Sequence, residues 1–292
     1  LGGDEFVVIL EDLDEVGLAA AQAESVGQKI LFELSRPYLL NLTLHGDQLS
    51  QRSHHCTSSL GITLFRDEPV TVDELMKRAD TAMYQAKAAG RNTLRFFDPD
   101  MQAAVAARAA MEVDLRRAIQ YQQFVLYYQA QIDSSAHMVG AEVLLRWQHP
   151  ARGIVSPVEF IPLAEETGLI LALGHWVLEA ACTQLATWAG QPHTGQLKLA
   201  VNVSARQFHQ PDFVVQVGDL IKRTGIKPSR LKLELTESMV LADIADTIVK
   251  MHAIKQMGGR FSMDDFGTGY SSLSYLTQLP LDQLKVDQSF VR

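Results

Sequence analysis

The first apolar run, Phe6-Val7-Val8-Ile9-Leu10, is continuous and predicts a strand over 6–10. Apolar positions then recur at helical spacing, predicting a helix over 16–34, and a second strand is expected over 57–65. The clearest helical signal follows Thr71, which forms a T-x-x-E capping box with Glu74. Leu75, Met76, Ala79, Ala82, Met83 and Ala86 fall on one stripe of that helix, and Gly90 supplies its stop. A strand-like stretch over 93–97 runs into the turn signal Asp98-Pro99-Asp100 and then an Ala-rich helix over 101–119.

From Phe124 the pattern becomes serial. Strands are predicted over 124–132 and 139–147, helices over 157–166 and 170–188, and a strand over 197–203. A helix from Asp212, a strand over 231–235, a helix over 241–257 and strands over 260–263 and 282–286 follow. Repeated β-α units build either a doubly wound sheet or a barrel. The reading is α/β throughout, with one domain over 1–98, a connecting helix over 99–120 and a second domain over 121–292.

Composition changes this picture little. The 292 residues, 47% hydrophobic and 21% charged, suffice for a sizeable core. A net charge of −8 argues against nucleic acid as a partner, because such binding needs clustered Lys and Arg to neutralise phosphates. An anionic ligand would need metal ions or a few local cations. Cys56 and Cys182 form no disulfide or zinc pattern, so a reducing cytoplasm is the expected setting. No run approaches the roughly 18–20 apolar residues of a membrane-spanning helix, and no signal peptide opens the chain. Because Leu1 stands at a strand already in progress, an upstream portion carrying a sensory domain or a membrane anchor is expected.

Gly2-Gly3-Asp4-Glu5-Phe6 precedes the first apolar run; its glycines permit a tight turn, and its carboxylates could face a metal or a phosphate-bearing ligand. With the closing segment Ala79-Asp80-Thr81-Ala82-Met83-Tyr84-Gln85-Ala86-Lys87-Ala88-Ala89-Gly90-Arg91-Asn92, these residues resemble the GGDEF family. The resemblance implies that Asp4 and Glu5 bind metal and GTP for cyclic di-GMP synthesis. It also implies that the first half of that domain lies upstream, so these residues alone would not synthesise the messenger.

A second constellation is larger. Glu142, Asn202, Glu234, the pair Asp264 and Asp265, and Lys285 recur toward the ends of successive predicted strands, where a β/α barrel would bring them to one face. Hard oxygen donors suit Mg²⁺ or Mn²⁺. Adjacent residues on a strand point to opposite faces, so Asp264 and Asp265 can both turn inward only if the backbone bends, with Gly267 and Gly269 as the source of freedom. Arg146 shares a strand face with Glu142 about 13 Å away, a spacing that favours a phosphate contact over a shared metal ion. His54, His55, His175, Trp176 and Trp188, and the stripe Ile244, Ile248 and Met251, read as loop or packing residues.

Over 112–292 the sequence resembles the EAL family, through Glu142-Val143-Leu144-Leu145-Arg146-Trp147, Asn202-Val203-Ser204, Glu234-Leu235-Thr236-Glu237, the Asp264-Asp265 loop and Leu284-Lys285-Val286-Asp287. The resemblance implies a modified (β/α)8 barrel that hydrolyses cyclic di-GMP to linear pGpG at a two-metal site. It assigns Glu142, Asn202, Glu234, Asp264 and Asp265 as metal ligands and Lys285 as the residue positioning the attacking water. Gln129 and Arg146 become substrate contacts, and Glu237 the anchor of the Gly-rich loop. It also allows a homodimer through the EAL domain, GTP at the GGDEF portion, and cyclase activity in the parent protein. Valine replaces the alanine of the signature, and Ala130 stands where proline is usual; neither removes a ligand. The chain stops at Arg292, before the last two barrel strands, so the barrel is expected to end after about its sixth strand, with the 292 residues alone poorly stable and inactive. A non-catalytic cyclic di-GMP receptor is the alternative.

Overall fold

Alternation between small or polar residues and large apolar ones along successive strands dictates the architecture of the larger part of the chain. The computed structural model describes residues 5–14, 16–44, 48–67, 69–266, 278–286 and 290, without the side chains of 16, 17, 40–44, 48–52, 238, 241, 242 and 265. The chain divides into two units, Leu1–Met111 and Glu112–Arg292.

In the first unit, α1 (Val16–Leu34) is followed by an antiparallel hairpin of β1 (Tyr38–Leu44) and β2 (Gln48–His54). Then come β3 (Leu60–Ile62), α2 (Val72–Ala88), β4 (Leu94–Phe96) and the first part of α3 (Pro99–Gln120). Thr71 caps α2 by accepting a hydrogen bond from the Glu74 amide at 3.3 Å. β3 and β4 pair in parallel, and α1, β4 and α3 bury Ala20, Ala23, Leu31, Leu94, Phe96 and Val105 together. Gly61 lets α2 lie directly on β3, since a Cβ there would stand 2.0 Å from the Ala79 carbonyl oxygen.

Two expectations change here. Residues 6–10 are not a strand: among the described residues they pair with no neighbour, and Phe6 is 88% exposed. A strand needs a partner for its backbone groups, which an apolar run cannot supply by itself. The predicted strand over 57–65 contracts to three residues of β3.

The second unit begins on the last part of α3 and continues through β5 (Phe124–Ile132), β6 (Met138–His149) and β7 (Gly153–Val155). There follow α4 (Pro157–Thr167), α5 (Ile170–Ala189), β8 (Lys198–Asn202), α6 (Ala205–Phe208) and α7 (Phe213–Thr224). Next are β9 (Leu231–Thr236), α8 (Glu237–Ala242), α9 (Ile244–Gln256), β10 (Arg260–Phe266) and β11 (Gln283–Val286). The sheet order is β11-β10-β9-β8-β6-β5, with β7 paired to β6. β6, β8, β9, β10 and β11 run parallel, and β5 is antiparallel to β6.

One face of these strands meets the helices: Leu199 and Val201, Leu233 and Leu235, and Phe261 and Met263 pack with Leu178, Cys182 and Leu185 of α5, Val217 and Leu220 of α7, and Met251 and Ile254 of α9. Ala200, Glu234 and Ser262 lie at alternate positions and therefore on the opposite face. The sheet curls around that face. Five strand spacings of about 4.8 Å would separate β5 from β11 by about 24 Å if flat, yet Lys232 Nζ hydrogen-bonds both Gln131 on β5 and Gln283 on β11. This is an α/β architecture of the barrel type.

The single helix expected over 241–257 is two. Asp243 breaks it with φ −151° and caps α9 by accepting from the Asp246 amide at 3.1 Å.

Candidate active site

Four strands each contribute one side chain to a charged cluster on the concave face. Parallel register places Glu142 opposite Ala200, Asn202 opposite Glu234, and Glu234 opposite Ser262, so that neighbouring strands present their polar residues at nearly one level. Glu142 is not at a strand end, since β6 continues to His149. It lies instead within Gly140–Val143, the stretch paired with β8, beyond which β6 turns to pair with β7. That pairing depends on Gly140, where a Cβ would stand 2.6 Å from the Lys198 carbonyl oxygen.

Oxygen atoms of Glu142, Glu234 and Asp264 lie within 4.8 Å of one another. Lys285 sits among them, Nζ donating to Asp264 Oδ2 at 2.7 Å, Glu234 Oε2 at 2.9 Å and Glu142 Oε2 at 3.1 Å. Asn202 Nδ2 donates to Glu142 Oε1 at 3.0 Å. Burial alone would lower the Lys285 pKa, but its bonds to Asp264, Glu234 and Glu142 outweigh burial and raise it above the usual lysine range. Glu234 is pushed above the usual carboxylate range by burial, against the opposing pull of Lys285.

Lysine and carboxylates thus neutralise one another, but incompletely. The Glu234 side chain is fully buried, and its Oε1 accepts no hydrogen bond among the described residues; Lys232 Nζ stands 4.0 Å from it. Burial pushes the Lys232 ammonium down, opposed by Glu234. A buried carboxylate oxygen without a donor, beside two further carboxylates, is the donor chemistry a hard divalent cation takes. The cluster fits such an ion.

The remaining sequence-predicted residues fall as follows. Gln129 is the direct cross-strand partner of Glu142 and is exposed. Arg146 lies over the Tyr127 ring at 5.6 Å and donates to the Leu145 carbonyl at 2.8 Å. Glu237 is buried at the first residue of α8. The bend expected at Asp264-Asp265 is present as a register shift of β10 against β11 between Met263 and Phe266. The Asp265 side chain, Gly267 and Gly269 lie outside what is described, as do Gly2, Gly3 and Asp4. Glu5 and Phe6 are exposed in the first unit. Sequence reasoning missed Lys232, Gln131, Gln283 and Ser262. A period-2 count backward from Glu234 to Lys232 would have found the first, since both must share a strand face.

Residues 112–292 match the EAL domain family, and residues 1–93 match the diguanylate cyclase, GGDEF domain, family. The whole chain is 40% identical to "Bifunctional diguanylate cyclase/cyclic di-GMP phosphodiesterase MucR" of Pseudomonas aeruginosa, covering 40% of that protein. It is 34% identical over its full length to "Cyclic di-GMP phosphodiesterase PdeR" of Escherichia coli, covering 42% of it. The chain therefore spans about two fifths of the length of these relatives. Among solved structures, "PaMucR Phosphodiesterase, c-di-GMP complex" superposes with a TM-score of 0.60 at 43% identity, over 62% of this chain and 74% of that one. The chain belongs to the EAL domain family, preceded by a GGDEF segment.

Proposed function

We propose that the protein carrying this chain is a metal-dependent phosphodiesterase that hydrolyses cyclic di-GMP to linear pGpG. In this reading residues 121–292 hold the active site, 1–98 are a GGDEF portion that binds GTP as substrate or regulator, and 99–120 connect them. The observation that carries it is the junction of Glu142, Glu234, Asp264 and Lys285 from four strands on one concave face. The family relationship and the ligand named for the MucR structure support the substrate.

Glu142, Asn202, Glu234, Asp264 and Asp265 are the residues proposed to hold Mg²⁺ or Mn²⁺ as a pair. Bound there, divalent ions supply an acidified water and charge stabilisation at the phosphoryl oxygens. The chain's own residues do the rest. Lys285, held cationic by its three carboxylate partners, keeps a positive charge at the reacting centre. Arg146 offers a planar cation already leaning on Tyr127, suited to a phosphate oxygen. Gln129, opposite Glu142 in register, presents an amide at the same level for orientation of the dinucleotide. Cytoplasmic location, a homodimer through the EAL domain and an upstream sensory domain complete the reading. The test is product analysis on the full-length protein: pGpG formation abolished by chelation and restored by Mn²⁺ or Mg²⁺ is expected, and chelator-resistant hydrolysis contradicts it.

A further inference from the structure

Lys232 is a charged side chain in a place where charge is costly. Its side chain is 7% exposed, and it stands two residues before Glu234 on β9, hence on the same concave face. Its Nζ donates to Gln131 Oε1 at 3.2 Å and to Gln283 Oε1 at 2.7 Å. Both acceptors are amides, which hold an ammonium in position without cancelling its charge. The nearest carboxylate oxygen recorded for it is Glu234 Oε1 at 4.0 Å, the same oxygen that accepts no hydrogen bond among the described residues. Glu234 therefore faces two lysines, Lys285 on Oε2 and Lys232 near Oε1.

A fold that needed only a strut between β5, β9 and β11 would gain as much from an uncharged polar side chain, without the desolvation cost of an ammonium. The fixed charge has a consequence for anything cationic at Glu234, because repulsion falls only as the inverse of distance in a poorly screened interior.

We propose that Lys232 is a positioning residue that sets the divalent-cation affinity of the acidic cluster: its immobilised charge, next to the Glu234 oxygen otherwise open to a metal, weakens binding and keeps the ion exchangeable. This rests on the reading of the cluster as a metal site. Lys232 touches neither substrate nor reacting atoms; it acts through Glu234.

The probe is Mn²⁺ alone, titrated into the full-length protein without nucleotide and followed by the electron paramagnetic resonance signal of the free ion. Glu234→Gln serves as the background that identifies binding at this cluster. Lys232→Met and Lys232→Gln remove the charge, the second keeping a hydrogen-bonding group, and Lys232→Arg retains it. Both neutral variants are expected to bind Mn²⁺ on the order of tenfold more tightly than wild type, with Lys232→Arg close to wild type. A purely structural lysine gives the opposite result, since a loosened cluster binds metal more weakly. Unchanged or weaker Mn²⁺ binding in both neutral variants overturns the inference, as does failure of both to fold by circular dichroism while Lys232→Arg folds. Absence of Glu234-dependent Mn²⁺ binding in wild type instead overturns the metal-site reading, and this inference falls with it.

Discussion

Lys285 holds together three carboxylates that would otherwise repel one another, since their oxygens approach within 4.8 Å. Replacing it by methionine leaves uncompensated charge in a partly buried site. Because Lys285 is still 23% exposed, the cost is set at about 1–3 kcal/mol, below that of a fully buried pair. Lys285→Met is expected to unfold at lower temperature than wild type and to recover more stability on addition of Mn²⁺; equal melting temperatures without metal would show that the ammonium is not neutralising the cluster. Glu142, Asn202, Glu234 and Asp264 were legible in the sequence because carboxylate or amide residues recur toward the ends of successive predicted strands and match the EAL pattern. Lys232 was not, because a single lysine within Leu231-Lys232-Leu233 reads as a solvated charge until the curl of the sheet places both edges around it.

Among the elements, β6 and β11 are not neighbours in the sheet order, yet Glu142 and Lys285 meet, and each strand is held by a local device. Gly140 permits β8 to approach β6, so Gly140→Ala forces the Lys198 carbonyl away. A loss of about 1–3 kcal/mol in denaturant unfolding is expected, with the Glu142–Asn202 contact loosened. Asp282 pins β11: its Oδ2 accepts from the Phe261 amide and its Oδ1 from Lys255 Nζ, both at 2.8 Å. Burial would raise the Asp282 pKa, but those two donors prevail and hold it below the usual aspartate range. A carboxyl depressed in the folded state adds stability above its unfolded pKa, about 4, and loses it as pH falls through the folded value. The stability gap between wild type and Asp282→Asn should therefore be full at neutral pH and close on acidification below about pH 4; a gap independent of pH would remove the carboxylate from this role. Most elements were readable from periodicity, and α1 and the capped α2 show why: a long apolar stripe and an explicit Thr71–Glu74 box leave little ambiguity. The failures have physical causes. The run 6–10 has β composition but no pairing partner among the described residues, and β2, with the sequence QLSQRSH, lacks the apolar alternation that marks a strand. The α8–α9 break turned on one aspartate cap inside a continuous apolar pattern.

The molecule as a whole offers an independent check on which layer is core. Cys182 is fully buried between α5 and the sheet, where burial pushes its thiol up to about 12, whereas Cys56 is exposed. A thiol reagent at neutral pH should modify Cys56 at once and Cys182 only after unfolding; rapid modification of both would contradict the packing of α5. Among the described residues, no helix is long and apolar enough to cross a membrane. The proposed function rests on the concave face and on its acidic cluster above all. The decisive experiment there is pGpG formation from cyclic di-GMP by the full-length protein, wild type against Glu142→Gln, with saturating Mn²⁺. A loss on the order of a hundredfold or more is expected in the variant, and pGpG formation at the wild-type rate would contradict the assignment of this cluster as the active site.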